Sequence, residues 1–374
     1  MPQPTEPLSF LSDALRQRQQ QGLLRQRRVL DEPNAINFAS NDYLGLSRHA
    51  DMQHALSTAT DLAIGASASP LVSGYLNVHQ QLEQQLCHMT GYQQAMLFCS
   101  GFAANHCLLQ TLSAAVDTVV ADKLVHASVI DGIRASGVKL IRYRHNDVAH
   151  AQQCLQRAEG QTLLVTESVF SMDGDVAPLT QLSQLARAHG ALLIVDDAHG
   201  FGVVGKNGLG ASDWIEADAL VVTFGKAMGC QGAAVLGSNT LIDYLQNFGR
   251  HYIYSTAPSP LLVEVAKTAL SLIKNGAQRN RLLSNIEYFI RTADRHKLPR
   301  LSSTTAIQPI LCQSQSVLKV ASGLREKGLL VGAIRPPTVP SGSQRLRVTL
   351  SACHTHEQIA QLVTALSEEL SIDG

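Results

Sequence analysis

Short runs of apolar residues alternate, over the first two thirds of the chain, with stretches whose apolar positions recur every three or four residues. The runs AMLFC (95–99), DTVVA (117–121), VKLIRY (138–143), TLLVTES (162–168), ALLIVDD (191–197), ALVVTF (219–224) and AAVLG (233–237) have the length of strands. Most are continuous rather than alternating, as strands covered on both faces of a mainly parallel sheet are. Between them, VHQQLEQQLCHM sets Val78, Leu82, Leu86 and Met89 on one helical face. The alternation predicts an α/β fold, an open central sheet with helices on both faces.

Near residue 245 the rhythm changes. Two long helical stretches run to about 276 and 295, followed by AIQPILC (306–312), LLVGAI (329–334) and QRLRVTL (344–350), with a helical LKVASGLREKG after the first. QRLRVTL alternates as a half-exposed strand does, so this part reads as a smaller C-terminal α+β domain. The start of the chain is a polar Gln/Arg-rich helix and the short apolar NAINFAS. The expected division is an N-terminal arm (1–45), a large α/β domain (46–245) and a small α+β domain (246–374).

Ligands of open α/β sheets collect at the carboxyl ends of the strands. There this sequence turns polar: SGFAAN follows AMLFC, VFSMDGD follows TLLVTES, DDAHG ends ALLIVDD, and Lys226 follows ALVVTF. Gly200–Lys206 matches two nucleotide-binding patterns, GxGxxG and GxxxxGK. Asn207 stands where a P-loop needs Ser or Thr, and the glycine-rich NGLGASDW is a poor helix start, so a loop is expected. Lys226 has glycines at 225 and 229 that leave open backbone space, and a strand end beside it. A lysine desolvated there has a lowered pKa and acts as a Schiff-base nucleophile. Asp196 ends another strand, and Ser100-Gly101-Phe102 at a helix start offers amides to an anion. An amine for an aldehyde, an acid for a pyridine nitrogen and an anion cradle are the parts a pyridoxal phosphate (PLP) site requires.

Composition narrows the alternatives. The 30 basic residues balance 30 acidic ones, so no overall field gathers nucleic acid or an anionic membrane. No run approaches the roughly 18–20 apolar residues of a spanning helix, and MPQPTEPLSF shows no leader pattern, so a cytoplasmic location is expected. Seven cysteines without a CxxC pair read as reduced, mostly buried thiols rather than a zinc site. His354 and His356 in HTH read as solvated turn residues, and no metal is expected.

The landmarks SNDYLGLS, LVSGYLNVHQQLE, SGFAAN, DKLVHAS, TESVFSMDGDVAPL, VDDAHGFGVVG, TFGKAMG and YSTAPSP occur in this order. Together they make the chain resemble the α-oxoamine synthases, fold-type I PLP-dependent transferases, from residue 37 nearly to the C-terminus. The resemblance implies that Lys226 binds the cofactor aldehyde and later removes the amino acid's Cα proton. It places Asp196 on the pyridine nitrogen, His126 over the ring face, and His199 with Ser171 at the ring oxygen. Gly101, Phe102 and Thr223 would hold the phosphate, with Ser255 and Thr256 reaching it from the second subunit of a homodimer. Asn41 and Glu167 fall near the site by motif.

The family joins a small amino acid to an acyl thioester, usually with loss of CO₂. IRPPTVP (334–340) is most similar to the biotin-pathway branch, which uses L-alanine and a pimeloyl thioester on CoA (pimeloyl-CoA) or on acyl-carrier protein (pimeloyl-ACP). Arg335 offers a planar fork to the amino-acid carboxylate, and Arg25 and Thr338 would contact the acyl substrate. FGKAMG alone fits the aminolevulinate branch as well, and glycine acyltransferases share the lysine and aspartate. Outside the enzymes, a PLP-binding sensor would need a DNA-binding segment that this sequence does not show, and a nicotinamide dehydrogenase would need GFGVVG to bind phosphate.

Overall fold

The computed structural model describes residues 8–25, 27, 29, 34–312, 316–336, 338–340 and 342–371. Pro337 of IRPPTVP therefore lies outside the described residues. Contacts divide the chain into two compact units, one ending at Ala35 and one beginning at Ile36. Of the first unit, the polar helix Ser9–Gln20 buries none of its residues.

The second unit contains eleven described strands: β1 (Ile36–Phe38), β2 (Gln94–Phe98), β3 (Thr118–Asp122), β4 (Lys139–Tyr143), β5 (Thr162–Glu167), β6 (Leu192–Asp196), β7 (Ala219–Thr223), β8 (Ala233–Gly237), β9 (Ile307–Leu311), β10 (Leu329–Ile334) and β11 (Arg345–Thr349). Seven form one sheet in the order β2-β8-β7-β6-β5-β3-β4. Pairings are parallel from β7 to β4, and β8 alone runs against both of its neighbours. β3, β5, β7 and β8 are buried at every position, which is why their sequences are continuous apolar runs. Edge strand β4 instead exposes Lys139 and Arg142, charges that discourage pairing with another chain.

The connecting helices pack onto this sheet. Gly101–Ser113 lies on β2, β7 and β8, Val148–Gln156 on β3 and β4, and Leu179–Ala188 on β6. Helix Asn77–Thr90 buries Val78, Leu82 and Leu86, with Met89 partly buried against the same core, so the helical face read from the sequence is the inward one.

The other four strands form a second sheet, β1-β10-β11-β9, in which β1 pairs parallel with β10 across some 290 residues of chain. NAINFAS thus supplies a strand to the C-terminal sheet. β11 departs from expectation, because all five of its residues are buried rather than half-exposed. Its alternate arginines, themselves buried, turn to polar partners instead of water: Arg345 pairs with Asp173, and Arg347 donates to the Ser171 carbonyl at 2.6 Å.

Three smaller expectations also need revision. All seven cysteines are free, but only Cys107, Cys154 and Cys312 are buried, while Cys99 and Cys353 are exposed. His354 is packed rather than solvated: its ring lies 4.1 Å from that of Phe38, its Nε2 meets the Asn37 carbonyl at 3.2 Å, and burial pushes it down to about 4. Gly229 is crowded rather than open. Its φ is +58°, and a Cβ there would lie 2.3 Å from the Ser47 nitrogen.

The 200–209 segment is a loop, and Asp197 ties the short 3-10 helix that follows it, Gly210–Asp213, to the end of β6. The buried Asp197 carboxylate accepts from the Ser168 hydroxyl and, at 3.0 Å, from the Ala211 amide, and burial pushes it up to about 8. The folded protein thus keeps this proton to about pH 8, whereas the unfolded chain releases it near pH 3.9. Stability from this group falls as pH rises between those values. Asp197→Asn is expected to flatten the decline in Tm between about pH 4 and pH 8, measured by thermal melts across that range; an unchanged slope would show that the carboxyl is not protonated there.

Candidate active site

The carboxyl ends of β2, β3, β5, β6 and β7 converge with the amino end of the reversed β8 on one rim. Nine residues, 224–232, join β7 to β8 as a hairpin closed by Phe224 N–H to Gly232 O (2.9 Å) and Cys230 N–H to Phe224 O (2.8 Å). Lys226 rides on this hairpin. Asn41, Gly101, Phe102, His126, Asp196, His199, Thr223 and Lys226, all expected from sequence, line one pocket at the rim, together with Glu167.

Lys226 Nζ lies 2.9 Å from His199 Nε2, and the other ring nitrogen of His199 lies 2.5 Å from the Tyr43 hydroxyl. Burial pushes Lys226 down against the opposing pull of Asp196 and Glu167, and Arg347 pushes it further. Burial also drives His199 well below its usual value, helped by Lys226 and Arg347. A neutral imidazole between an amine and a phenol presents a donor to one and an acceptor to the other.

Asp196 ends β6, in register with Glu167 at the end of β5. Its Oδ2 accepts from Asn105 Nδ2 at 2.6 Å and its Oδ1 from the Ala198 amide at 3.0 Å, which fixes the carboxylate plane. Glu167 is raised well above the carboxylate range, first by burial and then by Asp196, and accepts from the His126 amide at 2.5 Å. His126 caps helix Ala127–Ser136. Its Nδ1 is engaged by the Ser128 hydroxyl (2.8 Å) and amide (3.2 Å), and burial lowers its pKa. Accepting from that amide leaves the ring proton to Nε2.

Helix Gly101–Ser113 begins at the rim, capped by Ser100 Oγ, which accepts from Ala103 N–H at 3.2 Å. Its first-turn amides have no partners within the helix, and no acidic side chain stands in that turn. A Cβ on Gly101 would lie 2.4 Å from Thr223 Cγ2, so only glycine lets the helix start approach β7 this closely. The pocket's groups match PLP: first-turn amides for a dianion, a fixed carboxylate to accept from a pyridinium and an amine lowered by burial for an aldehyde.

The remaining expected residues lie off the pocket lining. Ser171 gives its carbonyl to Arg347, Ser255 and Thr256 follow helix Arg250–Ile253, Arg335 follows β10, and the exposed Thr338 donates its amide to Arg335 O at 3.0 Å. Arg25 is exposed and belongs to the N-terminal unit. Three neighbours of the site had no role assigned from sequence: Arg347, Tyr43 and Asn105. Arg347 donates to Asn41 Oδ1 at 3.0 Å and reaches the Tyr43 hydroxyl at 3.5 Å, while Asn105 links Asp196 to Ser128. Tyr43 and Asn105 sat inside quoted landmarks, and Arg347 was a charge in a buried-strand pattern, which was the available signal.

A family model for aminotransferase class I and II matches residues 33–366. The 8-amino-7-oxononanoate synthase of Sodalis glossinidius (strain morsitans) is 45% identical over 96% of this chain and 97% of its own. A solved 8-amino-7-oxononanoate synthase from Francisella tularensis aligns with TM-score 0.78 and 32% identity, covering 91% of this chain and 99% of the other. SPT with its PLP internal aldimine aligns at TM-score 0.90 and 27% identity over 98% of both chains. Likeness of this extent, spanning both sheets and the rim between their strands, places the chain in the class I and II aminotransferase family, with the 8-amino-7-oxononanoate synthases among its relatives.

Proposed function

We propose that this protein is a PLP-dependent acyltransferase that joins L-alanine to a pimeloyl thioester with loss of CO₂, forming 8-amino-7-oxononanoate. The observation that carries the reading is Lys226 Nζ, 2.9 Å from His199 and in one pocket with Asp196 and His126. The relative 45% identical to this chain supports the choice of substrates.

In this reading Gly101, Phe102 and Thr223 hold the phosphate, Asp196 the ring nitrogen, His126 the ring face and Lys226 the aldehyde. Bound there, PLP supplies an electron sink for charge developing at the amino acid's Cα. Lys226, whose hold on a proton is weakened by burial, accepts the Cα proton on Nζ. His199, neutral and steadied by Tyr43, orients Nζ and the ring oxygen. Glu167, pushed upward by burial and by Asp196, fixes the His126 backbone through its amide. Arg335 takes alanine's carboxylate, with the Arg347–Asn41 pair as a second anchor. Thr338 contacts the acyl chain.

A homodimer completes the proposal, with Ser255 and Thr256 serving the partner's phosphate. Support comes from an exposed apolar patch beside them. Ile64, Val72 and Tyr254 are 82%, 79% and 72% exposed, and Ser259 Oγ to Ile64 O (2.6 Å) and Ala257 N–H to Ala68 O (3.0 Å) hold the two segments together. Surface of this kind marks an association site.

Among alanine, glycine and serine offered with pimeloyl, succinyl, acetyl and palmitoyl thioesters, the alanine and pimeloyl pair is expected to give the highest kcat/KM. Lys226→Ala should lose about 10²- to 10⁴-fold of that activity. A preference for glycine and succinyl-CoA would move the protein to the aminolevulinate branch. Arg335→Ala should raise the alanine KM about 10- to 150-fold, the worth of one charge-assisted hydrogen bond; unchanged saturation would leave the carboxylate to Arg347. Light scattering should give about 80 kDa, twice the 40.3 kDa chain, and a monomer active at full rate would remove Ser255 and Thr256 from the site.

A further inference from the structure

The turn that carries Ser171 is pinned from both sheets. From the large sheet comes His145, just beyond β4. Its Nδ1 lies 3.0 Å from Asp122 Oδ1 at the end of β3 and its Nε2 2.8 Å from Asp175 Oδ2, and its ring stands edge-on to Phe170 at 4.4 Å. Asn146 reinforces the same two carboxylates, donating its amide N–H to Asp122 (2.8 Å) and its side chain to Asp175 (2.6 Å). From the second sheet, Arg345 pairs with Asp173 and Arg347 takes the Ser171 carbonyl. Gly174 closes the turn at φ +68°, and its carbonyl accepts from Ser303 and Thr305, both at 2.9 Å.

His145, Asp173 and Asp175 place ligand-type atoms within 4.8 Å of one another. Their charges are already matched inside the protein, since both imidazole nitrogens are engaged and Asp173 faces Arg345. The cluster is a latch. Its two acidic contacts hold His145 as an imidazolium, raised to about 10 against the effect of burial. The charged groups around it are Asp122 on β3, Asp173 and Asp175 on the turn, and Arg345 on β11.

What the latch holds leads to the lysine. Ser171 O receives Arg347 Nε, Arg347 reaches Tyr43, Tyr43 meets His199, and His199 meets Lys226. Arg347 also acts on Lys226 through space, as a cation that opposes a second one.

We infer that His145 is a positioning residue for the condensation: by tying Asp175 of the 170–175 turn to Asp122 at the end of β3, it sets where Arg347 stands, and through Arg347 it sets alanine capture and the surroundings of the Lys226 amine. The inference rests on the PLP-dependent reading above. Energetic coupling along such a chain typically changes binding about 2- to 30-fold.

The test is His145→Gln, which keeps the shape of one hydrogen bond and removes the charge, compared with wild type as PLP-loaded holoenzyme. Two readings are taken: the pH midpoint of the visible absorption band and the alanine KM. The expected result is a midpoint moved upward, because Arg347 stands less firmly against Lys226, and a KM raised about 2- to 30-fold with the smaller change in kcat. A lowered Tm with both readings unchanged would overturn the inference and make the latch purely structural. If His145→Gln does not fold, the same two readings on Asp175→Asn, which removes the other half of the charge pair, decide the matter. Failure of the PLP reading would appear separately, as a wild-type protein without the visible band.

Discussion

A buried guanidinium joins the parts of this molecule that matter to its chemistry. Arg347 projects from the second sheet, and its nitrogens bond to the Ser171 carbonyl, Asn41, Thr349 and Tyr43. Removing a guanidinium from water is costly unless its donors are satisfied by well-placed acceptors. That requirement fixes three segments distant in sequence around one cation. The cation in turn adds to the desolvation that lowers Lys226 and His199, so one arrangement both satisfies the buried charge and weakens the amine's hold on a proton.

Much of the scaffold was legible because burial on both faces writes itself as uninterrupted apolar sequence. Strand ends read from AMLFC, ALLIVDD or LLVGAI fall within about a residue of those observed. Direction was not legible, since five apolar residues in AAVLG carry no mark of which way they run, and β8 proved antiparallel. The pairing of β1 with β10 was hidden for a related reason: register between distant segments is set by tertiary packing, not by local pattern. QRLRVTL shows the limit of periodicity most plainly. Alternating apolar and charged positions normally mean one dry and one wet face, but here the charged face is dry because Asp173, the Ser171 carbonyl and Asn41 come to it from elsewhere in the fold.

The site followed the same division. Residues at strand ends, Asp196, Thr223 and Lys226 among them, were recognisable because an open α/β sheet dictates where ligands collect. Partners that act only after folding were not. Asn105 reaches Asp196 across 91 positions and Tyr43 reaches His199 across 156, and neither separation leaves a local signature. Ser255 and Thr256 do not line the pocket of their own chain.

The reversed strand has a mechanical consequence. Had β8 run with its neighbours, a crossover of a dozen or more residues would have separated it from β7, and the lysine would have sat at the mouth of a long, compliant connection. As a hairpin, residues 224–232 are laced on both sides into the hydrogen-bond ladder of the sheet. The stiffness of that ladder is passed to the backbone beneath the amine. The reach of Lys226 is thereby confined to the torsions of its own side chain, a tether short enough to return the nitrogen to the same place each time it is displaced.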